Sequence, residues 1–369
     1  MVPVAMKGFP GMSLFDRTGL AWSPEAIHSA RIGLDWESAR NALMDWYREN
    51  ARRLPWRENR TPYRVWVSEI MLQQTTVPTV LGFFDRFLAV FPDVSTLARA
   101  PIEQVLKQWE GLGYYQRARN LHRAAGIVSV QGKFPENLEG WMALPGIGRS
   151  TAGAICSIAL GQAEPILDAN VRRVQRRFLQ EMDGQDKSAA LLWESSLRFV
   201  LGSEDPGMVN QALMELGARV CLQKSPICTR CPLSLICLTA VTGGSKDLPV
   251  SSPVERPTRI RTAIIPGDGS RLCLVQGTGR RLLQGLWDFL SLDGEPVPEW
   301  SKIARVDHVY THFREEVHVV RVEMSLAHEI AQDFPVRWLS PEQVRELPLT
   351  GVARKILSFL GHRETVKPG

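Results

Sequence analysis

Nowhere does the chain hold about 18 consecutive apolar residues, so it offers no membrane-crossing helix. Residues 1–19 carry Lys7 but neither the apolar segment nor the small-residue cleavage site of a secretory signal, which argues against export. Cysteine is sparse, with six in 369 residues. In the reducing compartment this implies, the thiols are expected to be buried or metal-binding rather than disulfide-bonded. Charge of one sign is not piled up either: a net charge of +5 permits a polyanionic partner without demanding one. A hydrophobic share of 44% leaves no room for large-scale disorder, and the length suffices for two cores.

What is present begins at Trp36, since residues 1–35 show no sustained period and read as an extension. Trp36, Ala39, Leu43, Trp46 and Tyr47 recur at helical spacing and stop before Leu54-Pro55-Trp56-Arg57, a tight corner or a ligand-facing surface. In the run Thr61 to Thr75, Glu69 stands among Ile70, Met71 and Leu72. Buried there, its carboxyl would have a raised pKa suited to a general acid; capped by Ser68, it would be an ordinary first-turn glutamate. Gln73 and Gln74, read as lying at a helix start, could hydrogen-bond base edges. A helix end is expected over Leu81–Phe91 and a proline-opened helix over Pro101–Trp109. Gly111-Leu-Gly-Tyr-Tyr115 then precedes Arg117, Arg119, His122 and Arg123: either rings and charges for nucleotides and phosphate, or a corner between helices with core tyrosines.

The chain is organised around Ala143 to Ile155, where Leu-Pro-Gly-Ile-Gly-Arg-Ser-Thr opens into a helix of small residues. Such a turn leaves backbone N–H groups unpaired at the positive end of a helix dipole, a seat for phosphate. Shortly after, Asp168 stands in an apolar run before a helix carrying Arg172, Arg173, Arg176 and Arg177, and either caps that helix or sits at a reaction centre. Helices are expected onward to about Val200. Cys221, Cys228, Cys231 and Cys237 are spaced to converge on one centre, as compatible with zinc as with an iron–sulfur cluster, whereas Cys156 and Cys273 read as core.

Beyond Cys237 the composition turns to Gly, Ser and Pro, the mark of an exposed linker. Short β-type runs follow at Ile260–Ile265, Leu272–Val275, Val306–Thr311 and Val317–Met324, and two helices near Pro341–Leu347 and Gly351–Leu360 close a small α+β domain.

Across Trp36 to Leu360 the segments Leu54–Arg57, Val67–Thr75, Gly111–Tyr115 and Leu144–Ala152, with the four cysteines, resemble in order and spacing the adenine DNA glycosylase family known as MutY. The resemblance implies a mainly α helix-hairpin-helix glycosylase, a six-helix barrel plus an iron–sulfur cluster domain, with a C-terminal α+β MutT/Nudix-like domain. The domains expected are an extension at 1–35, a glycosylase region at 36–241 with its [4Fe–4S] loop at 221–237, a linker at 242–258, an 8-oxoguanine recognition domain at 259–361 and a tail at 362–369.

By the same resemblance Glu69 is the catalytic acid and Asp168 the carboxylate that stabilises the sugar cation, with Ser150, Asn170, Arg57 and Gln211 in support. Gln74 and Tyr114 would wedge into the duplex, while Gly146, Gly148 and Arg149 belong to the DNA-binding hairpin. Cys221, Cys228, Cys231 and Cys237 would hold the [4Fe–4S] cluster. Ser150 stands where the endonuclease III branch has a Schiff-base lysine; a hydroxyl forms no imine, so a monofunctional glycosylase is expected. Two departures stand out. Ala169 replaces a usual glycine, which matters if that residue needs positive φ. Tyr310-Thr311-His312 replaces the Phe-Ser-His at the 8-oxoguanine contact, and His312 could equally be a surface strand residue. The C-terminal domain lacks the glutamate-rich helix of a Nudix hydrolase, and Arg314-Glu315-Glu316 falls in a β region, so binding rather than hydrolysis is expected.

The expected function is removal of adenine opposite 8-oxoguanine or guanine in double-stranded DNA, by a monomer without membrane contact in a bacterial cytoplasm. Two alternatives share the fold: a bifunctional glycosylase/lyase acting on oxidised pyrimidines, and a non-catalytic iron–sulfur DNA-binding protein.

Overall fold

A computed structural model describes residues 33–180, 188–243, 256–277, 283–310 and 312–363. Most of the expected extension and linker, Thr311 and residues 364–369 lie outside the described residues. The chain divides into two compact units, residues 1–74 with 131–251, and residues 75–130 with 252–369.

In chain order the helices are α1 (Trp36–Asn50), α2 (Pro55–Glu58), α3 (Pro62–Leu72), α4 (Val77–Val90), α5 (Val94–Arg99), α6 (Ile102–Gln108), α7 (Gln116–Gln131), α8 (Leu138–Met142), α9 (Arg149–Leu160), α10 (Ala169–Phe178), α11 (Ser188–Val200), α12 (Pro206–Arg219) and α13 (Leu238–Val241). Asp35 caps α1 by accepting from Ser38 N at 3.0 Å, and proline at the first turn opens α2, α3, α4 and α12.

The first unit buries Leu43, Ile166, Val171, Phe178, Phe199 and Leu213 in one core, with Trp36 edge-on to Phe199 at 5.4 Å. Gly153 and Gly217 permit close packing around Asp168. A Cβ on Gly153 would stand 2.3 Å from the Pro165 carbonyl oxygen, and one on Gly217 would stand 2.7 Å from Asn170 Cβ. The segment before Asp168 thus lies hard against α9, and the start of α10 against α12.

α12 extends the helical region past the expected end near Val200. Its signal was Asp205-Pro206: the Asp205 carboxylate accepts from Met208 N at 2.8 Å.

In the second unit α6 and α7 flank the Gly111–Tyr115 loop. The Lys107 ammonium donates to the Leu347 carbonyl at 3.1 Å, and the Glu110 carboxylate accepts from Leu349 N at 3.3 Å, which ties this loop to the α+β part of the same unit. That part contains β1 (Thr258–Pro266), β2 (Leu272–Gln276), β3 (Trp287–Phe289), β4 (Ser291–Asp293), β5 (Ser301–Val309), β6 (Arg314–Val322), α14 (Met324–Ala331), β7 (Val336–Leu339), α15 (Pro341–Glu346) and α16 (Gly351–Arg363). One sheet runs β4-β1-β6-β5 and the other β3-β2-β7, with β1 and β6 parallel.

β6 lacks a clean two-residue alternation because both of its faces are covered. Val317 and Val319 pack with Val352 and Ile356 of α16, whereas Val320 and Val322 pack with Ala327 of α14. Two bounds differ from the sequence expectation. The last β run stops at Val322, because Met324 begins α14, and the run over Val306–Thr311 belongs to a longer strand that ends at Val309.

Candidate active site

Glu69 lies in the second half of α3, whose N-cap is Thr61. Ser68 does not cap it; its hydroxyl donates to the Val65 carbonyl at 2.8 Å within the helix. The first-turn reading of Glu69 is therefore excluded. Its side chain is half-buried. Desolvation, with a smaller push from the charge of Asp168, raises its pKa to about 7, and the Arg57 guanidinium pulls the other way.

Asp168 is a helix cap whose charge also reaches Glu69. It is the N-cap of α10, accepting from Val171 N at 2.7 Å, and it is also the carboxylate that acts on Glu69. Burial raises its pKa, but N–H groups of Val171 and Asn170 and the positive charge of Arg173 oppose the rise. Burial raises both carboxyls, and Asp168 in addition is supplied with donors that favour its ionised form. Ala169 is the first residue of α10 and has no positive φ, so its methyl group is accommodated.

α9 packs across α3, and the Gln73 amide donates to the Thr151 hydroxyl at 3.2 Å. The Ser150 hydroxyl accepts from Leu167 N at 3.1 Å. Asn170 Oδ1 accepts from Arg173 at 2.8 Å. Gln211, buried on α12, donates to the Gly207 carbonyl at 3.1 Å. Arg57 donates to the Glu215 carboxylate at 2.9 Å and to the Arg52 carbonyl at 3.1 Å, under the Tyr47 ring. Glu215, fully buried, was not singled out in the sequence. Its only signal was a carboxylate in an otherwise apolar stretch one helical turn beyond Gln211.

In the hairpin between α8 and α9, Gly146 has φ +81° and Gly148 is an N-cap without a side-chain hydrogen bond. Gly146, Gly148 and Arg149 are exposed, and the Arg149 guanidinium lies 4.2 Å over the Trp193 ring. Gln73 and Gln74 follow the end of α3 rather than starting a helix.

Gln74 and Tyr114 have φ of +56° and +49°, two of four non-glycine residues with positive φ among the described residues. Both are exposed, whereas Tyr115 is buried. Arg117 does not face solvent for phosphate. Its buried guanidinium donates to Thr75 Oγ1 at 2.9 Å and the Gly113 carbonyl at 3.2 Å, clamping the loop from within.

The four cysteines, which the sequence left between zinc and a cluster, line one cavity with Val220, Ile227 and Ala240. No three His, Cys, Asp or Glu side chains among the described residues are placed to hold a single metal ion. The four thiols thus share one cavity on the cysteine loop. Arg177 of α10 donates to the Cys221 sulfur at 3.3 Å, and Arg173 to the Cys221 carbonyl at 2.7 Å. α10 therefore carries Asp168 at one end and braces the cysteine loop further along.

In the α+β part, the Tyr310 ring stacks on Phe313 at 4.5 Å, and His312 is exposed. Glu315 pairs with Arg261 at 3.1 Å and Glu316 with Arg305 at 2.8 Å.

Residues 67–196 match the HhH-GPD superfamily of base excision DNA repair proteins, and residues 261–359 match the NUDIX domain. The helical region is similar to a thermostable thymine-DNA glycosylase, with a TM-score of 0.51 and 26% identity over 56% of this chain and 96% of that one. Hairpin, acid pair and these matches define an HhH-GPD base excision repair enzyme joined to a NUDIX domain.

The adenine DNA glycosylase of Buchnera aphidicola subsp. Acyrthosiphon pisum is 31% identical over 334 residues, 85% of this chain and 95% of that protein. The human adenine DNA glycosylase is 31% identical over 430 residues, 92% of this chain and 78% of that protein. The chain belongs to the adenine DNA glycosylase family.

Proposed function

We propose that the protein hydrolyses the N-glycosidic bond of adenine mispaired with 8-oxoguanine or guanine in double-stranded DNA, leaving an abasic site without cutting the strand. The observation that carries this is the pairing of a carboxyl poised near pH 7, Glu69, with a donor-stabilised carboxylate, Asp168.

The adenine must first leave the stack, at a cost of about a few kcal/mol. Gln74 and Tyr114 are the wedges in this reading, and their left-handed backbones, each costing about 1–3 kcal/mol, support a functional placement. The uncapped start of α9, beside Gly146, Gly148 and Arg149, seats a backbone phosphate.

Protonated Glu69 donates to adenine N7, making the base a better leaving group. Ionised Asp168 stabilises the oxocarbenium ion or traps it before water attacks. Asn170 holds Asp168, while Arg57 and Gln211 line the approach to the adenine. Ser150 offers no amine for an imine.

Cys221, Cys228, Cys231 and Cys237 would hold a [4Fe–4S] cluster, which supplies structural order to their loop. Tyr310, Thr311 and His312 are assigned to the 8-oxoguanine contact. The engagement of Glu315 and Glu316 with arginines supports a binding role for this domain rather than hydrolysis.

The test is a single-turnover assay on a duplex with adenine opposite 8-oxoguanine beside a thymine-glycol duplex. Breaks on the first duplex that need alkali are expected. Breaks without alkali, or action only on thymine glycol, overturn the reading.

A further inference from the structure

Glu215 has no part in the chemistry above, yet its carboxylate is wholly buried on α12 and both of its oxygens are used. Oε1 accepts from Arg52 Nε at 2.6 Å, and Oε2 accepts from Arg52 Nη2 and Arg57 Nη2, each at 2.9 Å. Arg219, on the same helix, stands 3.8 Å from Oε1. Three guanidiniums thus surround one carboxylate, and despite burial the charges and hydrogen bonds of Arg52 and Arg57 hold it below the usual carboxylate range. It is a fixed negative charge, not a proton donor.

A buried carboxylate is costly unless paired, and Arg52 alone would pair it with both oxygens. The second contact, to Arg57, therefore calls for its own explanation. The Arg57 side chain is 13% exposed, on a helix of one turn, α2, too short to fix a long side chain by itself. What fixes it is Glu215 on one side, the Arg52 carbonyl on another, and the Tyr47 ring 5.5 Å from its guanidinium carbon. So held, the guanidinium acts on Glu69.

We propose that Glu215 is a positioning residue of the glycosylase reaction, which anchors the Arg57 guanidinium where its charge steadies the catalytic carboxyl of Glu69. The proposal rests on the reading of Glu69 as the acid. The charged groups acting on Glu69 are Asp168 from the cap of α10 and Arg57 from α2; α9, packed on α3, brings Arg149, whose guanidinium lies over Trp193. Around the anchor stand Tyr47, Arg52 and Arg219, with the Arg60–Asp205 pair nearby. Without Arg57 in place, desolvation and Asp168 would lift Glu69 unopposed, and a carboxyl whose pKa climbs well above the working pH is a poorer acid.

The experiment is the pH profile of single-turnover adenine release for wild type, Glu215→Asp, Arg57→Ala and the double variant. Glu215→Asp keeps the charge and its Arg52 partner but draws the carboxylate back from Arg57. The alkaline limb is expected to move up by about one pH unit, a tenfold change in the ratio of protonated to ionised Glu69. Arg57→Ala is expected to move it equally, and the double variant no further.

A pH-independent loss of rate with an unmoved limb, a downward shift, or shifts that add in the double variant would each overturn the proposal. If Glu215→Asp does not fold, Glu215→Gln, which keeps the volume and loses the charge, carries the same expectation. Glu69→Gln is run alongside: full activity there sinks the acid reading itself, an outcome distinct from an unmoved limb in the Glu215 variants.

Discussion

The Ser150 hydroxyl accepts a hydrogen bond from the backbone N–H of Leu167, 17 positions along the chain and 3.1 Å away. Ser150, which in the proposed reaction offers no amine, thereby also fixes the segment leading into Asp168. Ser150→Ala leaves that N–H without its acceptor, which costs about 1 kcal/mol and loosens Asp168, so adenine release should slow by roughly three- to tenfold. Ser150→Lys restores an amine, and strand breaks without alkali, together with borohydride-trapped protein–DNA adducts, are the expected gain. Neither appearing would show that position 150 does not face the sugar.

Arg117 holds the Gly111–Tyr115 loop from inside, through Thr75 and the Gly113 carbonyl. Arg117→Met keeps the packing of the stem and deletes the hydrogen bonds, which should let Tyr114 relax from its positive φ. Affinity for the lesion duplex is expected to fall by about tenfold, as lost hydrogen bonds to a charged group would give. Fluorescence anisotropy reads this directly; unchanged affinity with only a lower melting temperature would make Arg117 a packing residue.

The cysteine loop is braced by α10 through Arg173 and Arg177, so disordering it should reach Asp168. Cys231→Ser is expected to lower the iron and sulfide content, weaken the visible absorbance and reduce DNA binding. Full iron content in that variant would remove Cys231 from the ligand set.

Glu69 also leaves a mark on stability. Its folded pKa of about 7 lies above the ordinary 4.5, so the protonated form favours folding and that benefit is lost as pH rises from about 4.5 through about 7. Glu69→Gln removes the cost of ionisation. Its melting temperature should match wild type near pH 4 and exceed it increasingly up to about pH 7, with a constant gap beyond. A gap independent of pH would mean that Glu69 titrates normally.

Local signals carried much of this architecture. The helical spacing from Trp36, the Pro-Gly turn before α9 and the isolated Asp168 are short-range patterns whose meaning survives folding. Other readings failed because tertiary packing decides them. Arg117 and Arg177 look like surface charges in the sequence and are buried by partners that are distant or lie in loops. Two covered faces erased the alternation of β6, so the β run reads on through Met324, and nothing local marked α14. Glu215 carried only the mark of a carboxylate in an apolar stretch, for a related reason: a glutamate in a helix has no local sign that two arginines far back in the chain will close on it.

The most direct test of the acid pair is the pH dependence of single-turnover adenine release from a duplex with adenine opposite 8-oxoguanine. A rate that is sustained below about pH 7 and falls above it is predicted, with a loss of roughly 10²–10⁴-fold in Glu69→Gln. Wild-type release by Glu69→Gln, or a rate unchanged as pH rises past 8, would contradict the account.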